Sequence, residues 1–144
     1  MNCPFCSETI IRDQQVYTKG CWRVFYNFKP VLKGHVLIVS KRHVELCKDL
    51  NADEQASLVG QIIDVQRMLT RAYGATGFCV VMQDGVSAGQ SVNHLHVHIV
   101  PRVDGDMHKG EFYQSLLVDS TRRHPISAEE MQERVKELQV VVHM

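Results

Sequence analysis

Short apolar runs punctuated by turn residues dominate the first forty positions. "QVYTK" (15–19) and "CWRVFYNF" (21–28) are rich in β-branched and aromatic residues, and Lys19-Gly20 supplies turn chemistry between them. The pair predicts a hairpin. "KPVLKGH" carries Pro30 and Gly34 and reads as a loop. "HVLIVSK" (35–41) is almost continuously apolar, the pattern of a strand buried on both faces. The period then changes. Leu58, Ile62, Val65, Met68, Leu69 and Ala72 recur at helical spacing, so 51–73 is the main helix. Asn51 is its N-cap, with Glu54 placed for a capping box, and Gly74 can end it with positive φ. "GFCVVMQD" (77–84) and "HLHVHIVP" (94–101) are two further strands, the last closed by Pro101. Residues 102–125 read as polar, irregular and mobile. Ser127 opens a second helix, with Glu130 completing a capping box and Met131, Val135 and Leu138 on one face.

The last two strands are joined by a loop of roughly nine residues, enough for an antiparallel return and too short for a parallel crossover. The expected architecture is α+β: an antiparallel sheet of about five strands, one main helix and a C-terminal helix, in one domain spanning 1–144.

Composition narrows the partners. Sixteen basic residues balance sixteen acidic ones, so no global field favours DNA or RNA, and "SKRH" and "STRRH" are too short to alter that. A nucleotide-sized partner needs only local charge. No apolar run reaches bilayer-spanning length, and "MNCPFCSETIIRDQQ" lacks the apolar core of an export signal. Five cysteines, Cys3, Cys6, Cys21, Cys47 and Cys79, make an odd set that argues against a disulfide framework. The expectation is a cytoplasmic chain with reduced thiols, no membrane partner, and Cys21, Cys47 and Cys79 as apolar fillers.

Candidate chemistry concentrates in "HLHVH". On a strand, His94, His96 and His98 share one face while Leu95, Val97 and Ile99 share the other and can enter a core. Such a row could be a solvated face, a catalytic metal site, or a nucleophilic imidazole oriented by its neighbours. The preceding loop, "QDGVSAGQSVN", favours the third reading. Gly85 and Gly89 let backbone N–H groups approach an anion, and Gln90 and Ser91 add donors, as phosphate chemistry requires. A second constellation is "CPFC". Two cysteines alone make no closed tetrahedral site, and "SETIIRDQQ" after them gives no convincing helix for a redox motif.

"HLHVHIVPR" fits the pattern histidine–apolar–histidine–apolar–histidine–apolar–apolar, and the chain resembles the histidine triad (HIT) family. The resemblance extends through "YNFKPVLKGHVLIVSKRH", "MQDGVSAGQSVNHLHVHIVPR" and "GDMHKGEFY" to the Fhit branch of dinucleoside polyphosphate hydrolases. Hint-like phosphoramidases more often carry asparagine where Gln83 stands. The resemblance implies a HIT-like fold and a homodimer formed through the main helix and a sheet edge. It implies hydrolysis of substrates such as diadenosine triphosphate at the α-phosphate through a nucleotidyl-histidine. His96 would be the nucleophile, His98 a phosphate ligand, and His94 the residue that orients the active face. Gln90 would contact the scissile phosphate region. Ser91, Gly89 and Val92 would complete the substrate loop, Asn27 and Gln83 would bind ribose and phosphates, and His35 would buttress the triad. Tyr113 and His108 fall where related proteins carry a substrate-facing loop; by themselves they read as solvent-exposed. Many HIT proteins also begin with a CxxC that zinc joins to two histidines, and the matching set is Cys3, Cys6, His43 and His94, a structural site. The Fhit pattern lacks this CxxC, so the chain combines two branches. The alternatives are a Hint-like phosphoramidase using the same nucleophile and a nucleotide-binding signalling module with slow turnover.

Overall fold

Gln15–Lys19 (β1) and Trp22–Tyr26 (β2) form the expected hairpin, turned at Gly20, whose φ of 58° a side chain would resist. The computed structural model describes residues 3–143. β2 continues antiparallel to Val36–Ser40 (β3), which pairs with His96–Arg102 (β5), and Gly77–Val81 (β4) closes the other side of β5. The sheet order is β1-β2-β3-β5-β4, with every pairing antiparallel. The region thus folds as α+β on a five-stranded sheet, with β5 central enough to be supported on both sides.

One sheet face carries the main core. Val24, Ile38, Val97 and Ile99 pack with Val65, Met68 and Leu69 of the long helix Ala52–Tyr73 (α2) and with Met131, Val135 and Leu138 of Ala128–Val142 (α4). Each fully buried aliphatic side chain contributes about 1.5–3 kcal/mol, so this layer fixes which way β5 faces. α2 has the full capping box, with Asn51 Oδ1 accepting from Glu54 N–H and the Glu54 carboxylate accepting from Asn51 N–H. Gly74 ends it at φ 66°. At α4 the box is half formed: Ser127 Oγ accepts from Glu130 N–H, while the Glu130 carboxylate lies 3.7 Å from Arg134 instead.

Further expectations change. "SETIIRDQ" does form a helix, Glu8–Gln14 (α1), capped by Ser7 and anchored through Ile11 against Phe25, Leu37 and Val39. Two turns offer too few apolar positions to show a period. β4 stops at Val81, short of "MQD". Pro101 lies inside β5 rather than closing it. The Arg102 carbonyl accepts from Thr76 N–H, so Pro101 points its nitrogen to the opposite side, where β3 has already ended at the Val36–Ile99 pair. The stretch after Arg102 is not irregular: Lys109–Tyr113 (α3), a π turn at Gln114–Val118 and a 3₁₀ turn at Ser120–Arg122 follow each other. Phe112 and Leu116 bury themselves against Val31 and Val100. Arg102 braces the entry with two hydrogen bonds to Asp106 and lies 4.0 Å over the Phe112 ring.

Candidate active site

β5 starts at His96, so strand alternation orients His96 and His98 but not His94. His96 pairs with Val39 and His98 with Leu37, on the face opposite the main core. That face is not wet. Both histidines are only 7% exposed, because the N-terminal segment folds over them. Phe5 stacks on Phe25 and meets the His96 ring edge-on, with centroids 5.9 and 5.1 Å away.

Hydrogen bonds fix the tautomer of each ring. The His94 carbonyl lies 2.8 Å from His96 Nδ1 and can only accept, so Nδ1 carries the proton and Nε2 keeps its lone pair. His35 is fully buried, and its Nδ1 accepts from Val31 N–H at 3.0 Å. Its Nε2 therefore carries the proton and donates to His98 Nδ1 at 2.9 Å. His98 must then present Nε2–H. Two neighbouring imidazoles, with ring centroids 5.3 Å apart, thus hold opposite tautomers: one offers a lone pair, the other a proton. Burial keeps them neutral. Desolvation depresses His96, partly offset by the bond to His94, and holds His98 at about 3 with help from His96 and Arg123. Desolvation places His35 well below the usual histidine range as well. A lone pair beside a fixed donor can attack an electrophilic centre while the donor holds its oxygen.

The pair opens onto a cleft of about 280 Å³. Of the predicted substrate residues, Asn27, Ser91 and Val92 line it with His96 and His98. Asn27 Oδ1 accepts from Lys29 N–H, which turns its amide nitrogen to within 3.1 Å of His35 Nε2. Since Nε2 bears a proton, that amide has no acceptor there and remains able to donate elsewhere. Gln83, Gly89 and Gln90 do not line the cleft. Gln90 is a buried brace, accepting from Gly85 N–H at 2.8 Å and donating to the Glu45 carbonyl at 3.1 Å. Gln83 donates to the Ala88 carbonyl and packs on Gly89, whose φ is 97° and whose missing Cβ leaves room for the Gln83 amide. Tyr113 is half-exposed and His108 caps α3, both away from the cleft wall. Sequence reasoning missed Phe5, Ile10, Leu37 and Arg123, which do line it. Phe5 sits inside "CPFC", the one available signal.

His94 turns its side chain to the other constellation. Its Nε2–H donates to the Ser40 carbonyl at 2.8 Å, leaving Nδ1 bare, 3.3 Å from Cys3 Sγ and 3.5 Å from Cys6 Sγ. His43 Nδ1 lies 3.5 Å from Cys6 Sγ. The donor atoms of Cys3, Cys6, His43 and His94 all fall within 4.8 Å of one another, close enough to hold a metal ion. His94 therefore serves both places: its carbonyl sets the tautomer of His96 and its ring faces the thiols.

The HIT domain family matches residues 8–105, more than half of the 144-residue chain. The chain belongs to the HIT family. Among curated HIT relatives, the nitrilase and fragile histidine triad fusion protein NitFhit of Caenorhabditis elegans is 43% identical over 131 residues, covering 90% of this chain and 30% of that protein. The crystal structure of the same nematode protein superposes with a TM-score of 0.73 at 34% identity, covering 90% of this chain and 27% of that one. The asymmetrical bis(5'-nucleosyl)-tetraphosphatase of Schizosaccharomyces pombe is 35% identical over 113 residues, covering 78% of this chain and 62% of the enzyme. The bis(5'-adenosyl)-triphosphatase of Dictyostelium discoideum is 32% identical over 140 residues, covering 96% and 92%. This HIT chain thus spans less than two thirds of the first two relatives and nearly the whole of the third. Among its described residues no helix is long and apolar enough to cross a membrane.

Proposed function

We propose that this HIT protein hydrolyses dinucleoside polyphosphates such as diadenosine triphosphate through a nucleotidyl–His96 intermediate. The observation that carries the reading is the enforced pair of opposite tautomers at His96 and His98. His96 Nε2 forms a bond to the α-phosphorus, and the bond from that phosphorus to the bridging oxygen breaks, its electrons leaving with the nucleoside diphosphate. The His94 carbonyl, already bound to Nδ1–H, offsets the positive charge that develops on the ring. His98 Nε2–H donates to a non-bridging oxygen of the same phosphate. Water then attacks phosphorus, the P–N bond breaks, and nucleoside monophosphate leaves, with the proton of water passing to solvent. The names of the slime-mould and yeast relatives support a phosphoanhydride substrate.

Asn27, Ser91 and Val92 contact the bound nucleotide, whose base lies against Phe5, Ile10 and Leu37. Gln83, Gly89 and Gln90 act by holding the loop that brings Ser91 and Val92 to the cleft. His35 acts through His98.

The four-residue cluster takes a structural zinc. Zinc–sulfur and zinc–nitrogen bonds of ~2.3 and ~2.05 Å on a tetrahedron give a sulfur–nitrogen edge of ~3.5 Å, and the observed separations are 3.3–3.5 Å. Two thiolates with two imidazoles suit zinc and not magnesium or calcium. Thiolate ligation and five unpaired cysteines fit a reducing, cytoplasmic setting. The chain acts as a homodimer through β4 and α2: β4 is a sheet edge with Val80 42% exposed, and α2 leaves Val59 and Ile63 exposed.

The test is incubation with diadenosine triphosphate and chromatography of products. AMP and ADP in equal amounts, lost in His96→Ala, are expected, with a denaturation-trapped adenylyl group on the wild type only. Turnover that persists in His96→Ala would overturn the mechanism, and adenosine phosphoramidate cleaved far better than the triphosphate would overturn the substrate.

A further inference from the structure

The cleft has a cationic wall that the histidine motif does not contain. Arg123 follows the Ser120–Arg122 turn, and two hydrogen bonds tie this stretch to the loop after β2: Arg123 Nη1 donates to the Lys29 carbonyl at 2.8 Å, and Ile126 N–H donates to the Phe28 carbonyl at 3.1 Å. Arg123 lines the same cleft as Asn27, His96 and His98. It is poorly satisfied there. Nε is shut off from solvent without any partner, and among the described residues no carboxylate pairs with the group. A guanidinium carries five N–H donors, and only one bond to protein is made.

A half-buried cation without a counter-ion is unfavourable unless a ligand supplies the charge. Its field reaches the triad: His98 and His35 are kept neutral first by burial, then by a neighbouring imidazole, and then by Arg123. His98 offers the α-phosphate one neutral donor. Nothing in the triad itself meets the negative charge that accumulates on the departing nucleoside diphosphate. A planar fork of donors with fixed charge suits those phosphate oxygens better than a flexible ammonium does.

We propose that Arg123 binds the phosphates of the leaving nucleotide and makes the site selective for anionic leaving groups over neutral amines. The proposal rests on the reading of the triad as a nucleotidyl-transfer site. It places specificity on a residue outside the family-matched span of 8–105.

Two substrates sharing the adenylyl half separate this role from a general one: diadenosine triphosphate and adenosine 5′-phosphoramidate. Arg123→Gln is expected to lower kcat/KM about 100-fold on the triphosphate, and less than about 5-fold on the phosphoramidate. Arg123→Lys should fall between wild type and Arg123→Gln on the triphosphate. Calorimetry with inorganic pyrophosphate and with AMP reads the contact without turnover. Arg123→Gln should weaken pyrophosphate by at least about tenfold and leave AMP nearly unchanged. Equal losses on both substrates and both ligands, or no loss on any, would overturn the proposal. Failure of the wild type to cleave the triphosphate, alongside Arg123-dependent pyrophosphate binding, would instead overturn the assigned reaction and leave this anion site standing.

Discussion

Phe5 meets His96 edge-on, ring centroids 5.1 Å apart, and in the sequence it stands between the two cysteines of the cluster that could hold a metal ion. The segment that carries two of the candidate metal ligands is therefore the segment that roofs His96. Exhaustive chelation under reducing conditions is expected to remove about one zinc per chain, expose two thiols to a thiol reagent and raise KM more than it lowers kcat. Phe5→Ala should raise KM by roughly tenfold while retaining full metal content. Metal-free protein with unchanged KM would break the connection between cluster and cleft.

His35 to His98 is the second relationship with a measurable consequence. His35→Phe keeps a planar ring, slightly larger than imidazole, and deletes the donor that fixes His98 as Nε2–H. It also leaves Val31 N–H buried without an acceptor, costing about 1–3 kcal/mol of stability. Loss of a partner that holds a tautomer elsewhere costs up to ~10⁴-fold, so kcat should fall by about 10²–10⁴-fold with KM little changed. A variant that folds and turns over normally would show that His98 does not need its partner.

Gly89 and Gln83 form a coupled pair. Gly89→Ala imposes a side chain at φ 97° and drives Cβ into the Gln83 amide. A loss of about 1–3 kcal/mol and a raised KM are expected, because the loop carries Ser91 and Val92. Gln83→Ala should recover the steric part only, giving a non-additive double mutant in chemical denaturation. Strict additivity would place the cost in the backbone alone.

Acid stability should report the Arg102–Asp106 pair. The Arg102 guanidinium, helped by the Val103 and Met107 N–H groups, pulls Asp106 from its ordinary 3.8 down to about 2. The folded value is the lower one, so the contribution is complete above pH 3.8 and is lost as pH falls toward about 2. Asp106→Asn should be less stable than wild type in urea at pH 6, with the gap closing near pH 2. A gap independent of pH would assign the effect to packing of the Arg102–Phe112 contact.

Much of the fold was legible because long periodic segments signal themselves. α2, its capping box and the alternation of Val97 and Ile99 against His96 and His98 follow from spacing alone. α1, the helices after Arg102 and the passage of β5 through Pro101 did not. Two turns of helix hold too few apolar positions to show a period. Whether a proline is tolerated depends on which neighbour lies beside it, and that is a property of the sheet.

The site divides the same way. Local spacing alone put His96 and His98 on one rigid strand face, wrongly added His94 to them, and showed a CxxC at Cys3 and Cys6. The tertiary structure decided everything that depends on distant groups. His35 and the His94 carbonyl set opposite tautomers, His94 turns its ring to Cys3 and Cys6, and Gln90 braces a loop instead of facing the cleft. Arg123 arrives from beyond the family-matched span. Protonation, exposure and charge are set by what surrounds an atom in space, and those neighbours are brought together only when the sheet and its helices close.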